Sequence, residues 1–267
     1  MSVSTTAPAR SEASGADRGP AARHLSTTVA TAHRVLRQLS HDRRTIALLL
    51  LVPPLLLVLL YYVFDSSPST FNFIGAALLG IFPMITMFLV TSIATLRERT
   101  SGTLERLLTM PMGKGDLIGG YALAFGVFAV MQALLATATA LWVLDLSIAG
   151  SPWLLLLVAL LNALLGTALG LFVSAFAASE FQAVQFMPAL IFPQLLLCGL
   201  FAPRDEMQPV LSAVSNVLPM SYSVDGMTEV LTSTGVTGDF VRDVFVVSGS
   251  ALLVLTVGAL TLRRRTE

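Results

Sequence analysis

Residues 45–64 read TIALLLLVPPLLLVLLYYVF, an uncharged stretch bounded by Arg43 and Arg44 on one side and Asp65 on the other. Wound as a helix at about 1.5 Å per residue, such a stretch is roughly 30 Å long, the thickness of a bilayer's hydrocarbon. Its continuous apolar character, in place of strict alternation, points to a helix and not to a barrel strand. Further runs of the same kind follow at about 74–96, 118–144, 152–178, 183–201 and 244–262. The sequence therefore predicts an all-α, polytopic membrane protein with six transmembrane helices. The third and fourth runs are long enough to tilt or to project beyond the membrane.

Charge sorts by side. Arg10, Arg18, Arg23, Arg34, Arg37, Arg43 and Arg44 precede the first run. Arg97, Arg99, Arg106 and Lys114 lie between the second and third, and Arg263, Arg264 and Arg265 follow the sixth. Only Arg204 and Arg242 of the 16 Lys and Arg fall on the opposite connections. A bilayer expels charge from its core and keeps Lys- and Arg-rich loops cytoplasmic, so both ends are expected inside. A mean hydropathy of +0.79 with 12% charged residues agrees, since soluble domains carry about 25%. The basic face matches anionic lipid headgroups, and nucleic acid is not an expected partner.

Residues 1–25, MSVSTTAPARSEASGADRGPAARHL, are rich in small and polar residues and have no apolar stretch. They read as a disordered cytoplasmic tail without the apolar region of a signal peptide. Residues 26–262 form the membrane domain, and 263–267 a second cytoplasmic tail. From Ser26 to Thr45, Val29, Ala32, Val35, Leu36 and Leu39 recur at helical spacing opposite Arg34, Arg37 and His41. This predicts an amphipathic helix in the inner headgroup region. The connection 202–243 is the longest and holds Asp205, Glu206, Asp225, Glu229, Asp239 and Asp243, yet Val210 to Met220 is apolar. Short extracellular re-entrant helices are expected there.

Several chemistries are excluded. The sole lysine, Lys114, is followed by Gly115 and lacks the spaced glycines of a phosphate-cradling loop. No span holds an Asp, Glu, Lys, Arg or His, so no intramembrane proton relay or metal site is available. Ser92 and Ser174 have no base beside them in their spans and read as residues that back-bond helix carbonyls. Cys198 is the only cysteine, which excludes an internal disulfide, and it reads as a small core residue. Thr86, Thr91, Gln132, Asn162, Gln185 and Gln194 can hydrogen-bond across helices. Phe82, Met84, Met87 and Phe88 of the second span, with Phe186, Met187, Phe192 and the polar Gln194 of the fifth, are candidates for a soft cavity lining. Core packing is the competing role for each. Gly166 and Gly170 permit close helix contact, within the chain or across a dimer.

The stretch Arg97-Glu98-Arg99-Thr100-Ser101-Gly102-Thr103-Leu104-Glu105-Arg106-Leu107-Leu108-Thr109-Met110-Pro111 resembles the E-[RK]-x-x-G-T-x-E-x-L-L-x-x-P pattern of ABC type-2 transporter permeases. Ser40 to Arg44 resembles their basic entry to the first span, although residue 40 is Ser where a basic residue is common. Gly170 to Phe176, and Leu200 to Pro203 through Leu218-Pro219-Met220-Ser221-Tyr222, resemble later signatures in the same order. The resemblance covers residues 30–262. It implies a permease paired with a second permease, identical or related, and with two copies of a separate ATPase subunit that would bind ATP and magnesium. No cofactor is implied in this chain. Glu98, Gly102, Thr103, Glu105 and Arg106 would form or position the ATPase contact. The second and fifth spans would line a path for a small hydrophobic or amphipathic compound leaving through a bacterial plasma (inner) membrane. Drug-export members of the daunorubicin-resistance type are the nearest likeness. Lipid or lipid-linked glycan export, and a passive channel or membrane-assembly role, stand as alternatives.

Overall fold

The computed structural model describes residues 20–101 and 113–261, and those residues are helical and connected by short turns. Gly102, Thr103, Glu105 and Arg106 lie outside the described residues, as do residues 1–19 and 262–267. In chain order the helices are α1 (Pro20–His41), α2 (Arg43–Val63), α3 (Pro68–Thr100), α4 (Lys114–Ala138, extended by a wider turn at Thr139–Val143) and α5 (Pro152–Ser174). They are followed by α6 (Glu180–Leu197), α7 (Pro209–Ser215), α8 (Pro219–Thr232) and α9 (Gly238–Thr261). Helix α1 begins at Pro20, so the last residues assigned to the tail are helical.

Five of these helices are long and apolar enough to cross a membrane: α2, α3, α4 with its extension, α5 and α9. At 33 residues α3 is about 50 Å long and outreaches the hydrocarbon. The expected fifth span corresponds to α6, which has only 18 residues and includes Glu180, three glutamines and two prolines. These polar residues take it out of the apolar set. It starts where Arg97 meets Glu180 and ends where the Leu197 carbonyl accepts from Ser215 at 2.7 Å. Gly199, at φ +93, turns the chain out of α6 in a conformation that favours glycine.

The centre of the bundle is the contact between α3 and α5, the most extensive in the molecule. A Cβ on Gly166 would lie 2.2 Å from the Met84 carbonyl oxygen, and one on Gly170 2.7 Å from that of Phe88. The two backbones therefore touch, and the glycine pair serves contact within the chain. Toward the other end of α5, Asn162 donates to the Ser223 hydroxyl of α8, filling the space above Gly80 of α3. Ser92 and Ser174 bond the Leu89 and Leu171 carbonyls at 3.1 and 2.7 Å, as the sequence suggests.

Proline kinks are repaired from neighbouring helices. Pro53 has no amide hydrogen to offer the Leu49 carbonyl one turn earlier. The side-chain amide of Gln132 on α4 supplies that donor at 2.7 Å and also bonds the Thr86 hydroxyl of α3. One glutamine thus ties α2, α3 and α4 at a point where each is apolar.

Replacing Gly166 by Ala should lower the thermal unfolding midpoint of the detergent-solubilised chain, at a cost of about 1–3 kcal/mol. Gly249→Ala is the control, because a Cβ there meets nothing within 4 Å. Unfolding followed by intrinsic fluorescence should separate the two.

Candidate functional site

Three consecutive residues end α3, and helical steps of about 100° aim them at different helices. Arg97 donates to the Glu180 carboxylate at the start of α6, at 2.7 and 3.0 Å. Arg99 donates to the Ser174 carbonyl at the end of α5. Glu98, only 5% exposed, turns inward toward α1 and α4. There it accepts from both terminal nitrogens of Arg34, at 3.1 and 3.3 Å, and from the hydroxyl of Tyr121. Arg34 also reaches the Tyr121 oxygen at 3.3 Å. A forked guanidinium facing a carboxylate, closed by a buried phenol, has definite geometry and is costly to break.

A further tie lies at the start of α4. Asp116 accepts from His24 of α1 at 2.8 Å and from the Gly113 amide at 3.0 Å, so it holds α1 while capping its own helix. Between these ties α1 lies on α4 through glycine. A Cβ on Gly120 would sit 2.5 Å from Thr31. Ala32, Val35 and Leu39 are buried in this contact, while Val29, expected on the same face, is 53% exposed. Together these interactions fasten the ends of α1, α3, α4, α5 and α6 into a latch on both sides of the 102–112 segment.

The expected lining residues do not converge on a cavity. Met84, Met87 and Phe88 are fully buried, Met84 and Phe88 between α3, α5 and α8 and Met87 against α4. They are packing residues within this chain, because the close α3–α5 contact leaves no space beside them. Phe82, Phe186 and Met187 are partly buried at the edges of the core. Phe192 points outward at 49% exposure, and Gln194 bonds its own helix at Leu190.

At the other end, residues noted in the sequence for their charge or family pattern, and not as a site, surround a cavity of about 780 Å³. Arg204 pairs with Asp225 and Asn216, and Arg242 pairs with Asp239 and Asp243 at 2.9 and 2.8 Å. Both guanidiniums approach the ring of Tyr222, at 5.3 and 5.8 Å from its centre. Arg204 and Arg242 are the cations that break the charge sorting, and that exception was the available signal.

This arrangement of long apolar helices, latched at one end by ion pairs, defines a multi-pass membrane protein. Residues 27–232 match the family model of the ABC-2 type transporter, and the chain belongs to that family. It is similar to the probable multidrug ABC transporter permeases YbhR and YbhS of Escherichia coli (strain K12). Identity with YbhR is 27% over 57% of this chain and 42% of that protein. Identity with YbhS is 24% over 77% and 55%. The linearmycin resistance permease protein LnrN of Bacillus subtilis (strain 168) is 23% identical over 68% of this chain and 45% of its own. The chain spans about half the length of these relatives.

Arg34→Ala strands the buried Glu98 and is expected to cost roughly 2–4 kcal/mol, with Glu98→Ala, which leaves the partly exposed Arg34 within reach of water, costing less. A double-mutant cycle on thermal unfolding should give a coupling of about 1 kcal/mol or more. The Arg97 hydrogen bond holds the Glu180 carboxyl below its ordinary value of 4.5. A depressed acid stabilises the fold above its unfolded pKa and loses that contribution as pH falls through its folded value. The stability gap between wild type and Glu180→Gln should therefore be constant near neutrality and close below about pH 4.

Proposed function

We propose that this chain is the membrane-spanning permease of an ATP-driven ABC exporter. It has no nucleotide site of its own and is moved by two copies of a separate ATPase subunit, beside a second permease, identical or related. The observation that carries this reading is the latch. It brackets the segment bearing Gly102, Thr103, Glu105 and Arg106 and ties its approach to helices α1, α4, α5 and α6. A push on that segment is delivered to the whole inner end of the bundle instead of being lost in one loop. Glu98, buried within the latch, positions the contact, and Glu105 and Arg106 supply its exposed charges.

On this reading α6 is a sixth span, α7 and α8 form the outer re-entrant lid, and both termini face the cytoplasm of a bacterium. Helix α1 lies in the inner headgroup layer. ATP-driven closure of the partner subunits shifts the permease pair between inward-open and outward-open populations. Exposed apolar residues of α6 such as Phe192, with Phe186 and Met187, line the path between two copies. An uncharged path favours a hydrophobic or amphipathic, drug-like compound, which is consistent with the multidrug and resistance permeases it resembles.

The test uses inside-out vesicles carrying the chain with its ATPase partner and a fluorescent hydrophobic dye. Glu105→Ala and Gly102→Val should reduce ATP-dependent dye uptake to the level without ATP, with the permease still folded in the membrane. Undiminished flux in the absence of ATP would overturn the reading in favour of a passive channel. Stimulation of ATPase activity only by polyprenyl-linked sugars would favour glycan export.

A further inference from the structure

A second cavity, of about 290 Å³, opens beneath the elbow where α1 turns into α2. Its floor is apolar, made by Val35, Leu39, Leu48, Leu89, Ile93 and Phe125 from four different helices. From Arg97 at its rim to Leu89 at its floor is eight residues of α3, a depth of about 12 Å. Leu48 lies four residues into the uncharged run of α2, about 6 Å past Arg44, so the floor is level with acyl chains and the mouth with headgroups. None of the residues expected to line a transport path contributes to it.

The polar mouth decides the occupant. Gln38, Asp42 and Thr45 at the rim alternate along the chain with Arg37, Arg43 and Arg44. The nearby carboxylates are already committed. Asp42 accepts from the Thr45 hydroxyl at 2.6 Å and its amide at 3.1 Å, and these bonds hold its carboxyl below the ordinary value. Glu98 is held by Arg34 and Tyr121, and Arg97 is held by Glu180. Arg37, Arg43 and Arg44 are exposed and form no ion pair among the described residues. Asp42 stays ionised, since Thr45 is neutral, but Arg43 and Arg44 beside it outweigh that one negative charge, above an apolar slot that opens at membrane level.

We propose that this elbow cavity is a binding site for an anionic phospholipid, one acyl chain lying in the slot and the phosphate held by Arg43 and Arg44, which lie between the lining residues Asp42 and Thr45. Only the leaflet depends on the topology proposed above; the binding does not. Lipid bound here braces α1 against α2 and α3 beside the Glu98–Tyr121 contact, which forms one wall of the cavity. The site is separate from any path for exported cargo.

The purified full chain in nanodiscs provides the test, with phosphatidylglycerol carrying a diazirine on one acyl chain. Phosphatidylcholine of the same chain composition is the comparison. Nanodiscs expose both faces, so the result is independent of membrane orientation. Phosphatidylglycerol should label peptides covering residues 35–48 and 89–97, and phosphatidylcholine should label them several-fold less. Arg43→Gln and Arg44→Gln should each reduce the labelling about fivefold, with lysine at both positions restoring it. Ala94→Trp fills the slot without changing charge and should abolish labelling there while the protein elutes unchanged on size exclusion. Equal labelling by the two lipids, or labelling unaffected by both kinds of substitution, would overturn the site. Displacement of phosphatidylglycerol by a cationic amphiphile better than by unlabelled phosphatidylglycerol would also overturn it, by assigning the slot to cargo.

Discussion

Backbone contact between α3 and α5 is the constraint on which the rest of this molecule depends. Lipid tails are as apolar as leucine, so helices in a bilayer gain little by hiding apolar side chains from their surroundings. They gain by approaching closely and by satisfying polar groups that have no water. Gly166 and Gly170 allow the first, bringing α5 against the carbonyls of Met84 and Phe88. Asn162 provides the second by joining α5 to Ser223 of α8. With α3 and α5 fixed as a pair, α4 and α9 pack beside α5 and α6 packs on α3. The 33-residue α3 then extends past the bundle core and carries Arg97, Glu98 and Arg99 to the place where neighbouring helices end.

Much of this was legible in the sequence because the bilayer imposes a coarse code. Runs 45–64 and 152–178 correspond closely to α2 and α5, since charge and proline punctuate them sharply. Helix α3 extends beyond its run at both ends, because Pro68 starts a helix as readily as a leucine continues one. Hydropathy is least informative for α6, whose glutamines and prolines dilute an otherwise apolar helix. The small-residue motif was legible as close contact, but its partner was not. Whether glycine meets a helix of the same chain or of a second copy is settled by three-dimensional packing alone.

The candidate site was legible in part, for a different reason. Glu98 stood out through its place in a family pattern, and that pattern does not distinguish a residue that touches a partner from one that holds the touching segment in place. Within this chain Glu98 is buried against Arg34 and Tyr121. Arg34, Tyr121 and Glu180 carried no signal as a set, being scattered over three elements and each ordinary in its local sequence. The soft residues Met84, Met87 and Phe88 are buried within this chain. Adaptable apolar side chains suit a substrate path, but they suit equally the irregular gaps beside two touching backbones.

The latch and the glycine contact are different kinds of bond, and the difference matters for movement. Close-packed backbone cannot slide without losing many contacts at once, so α3 and α5 travel as one body. Ion pairs at the Arg97 end are few and directional, and they join that body to α1 and α6. Only 22% of the α2 window and 17% of the α9 window are buried, against 67% for α5. A force applied near residues 102–112 would therefore meet a close-packed core with less buried helices beside it. The α3–α5 pair runs from the Arg97 end of the bundle toward Asn162, which bonds Ser223 of α8. The conformational change this architecture favours is a tilt of the core relative to its flanking helices, with the Asn162–Ser223 bond coupling that tilt to the opposite end.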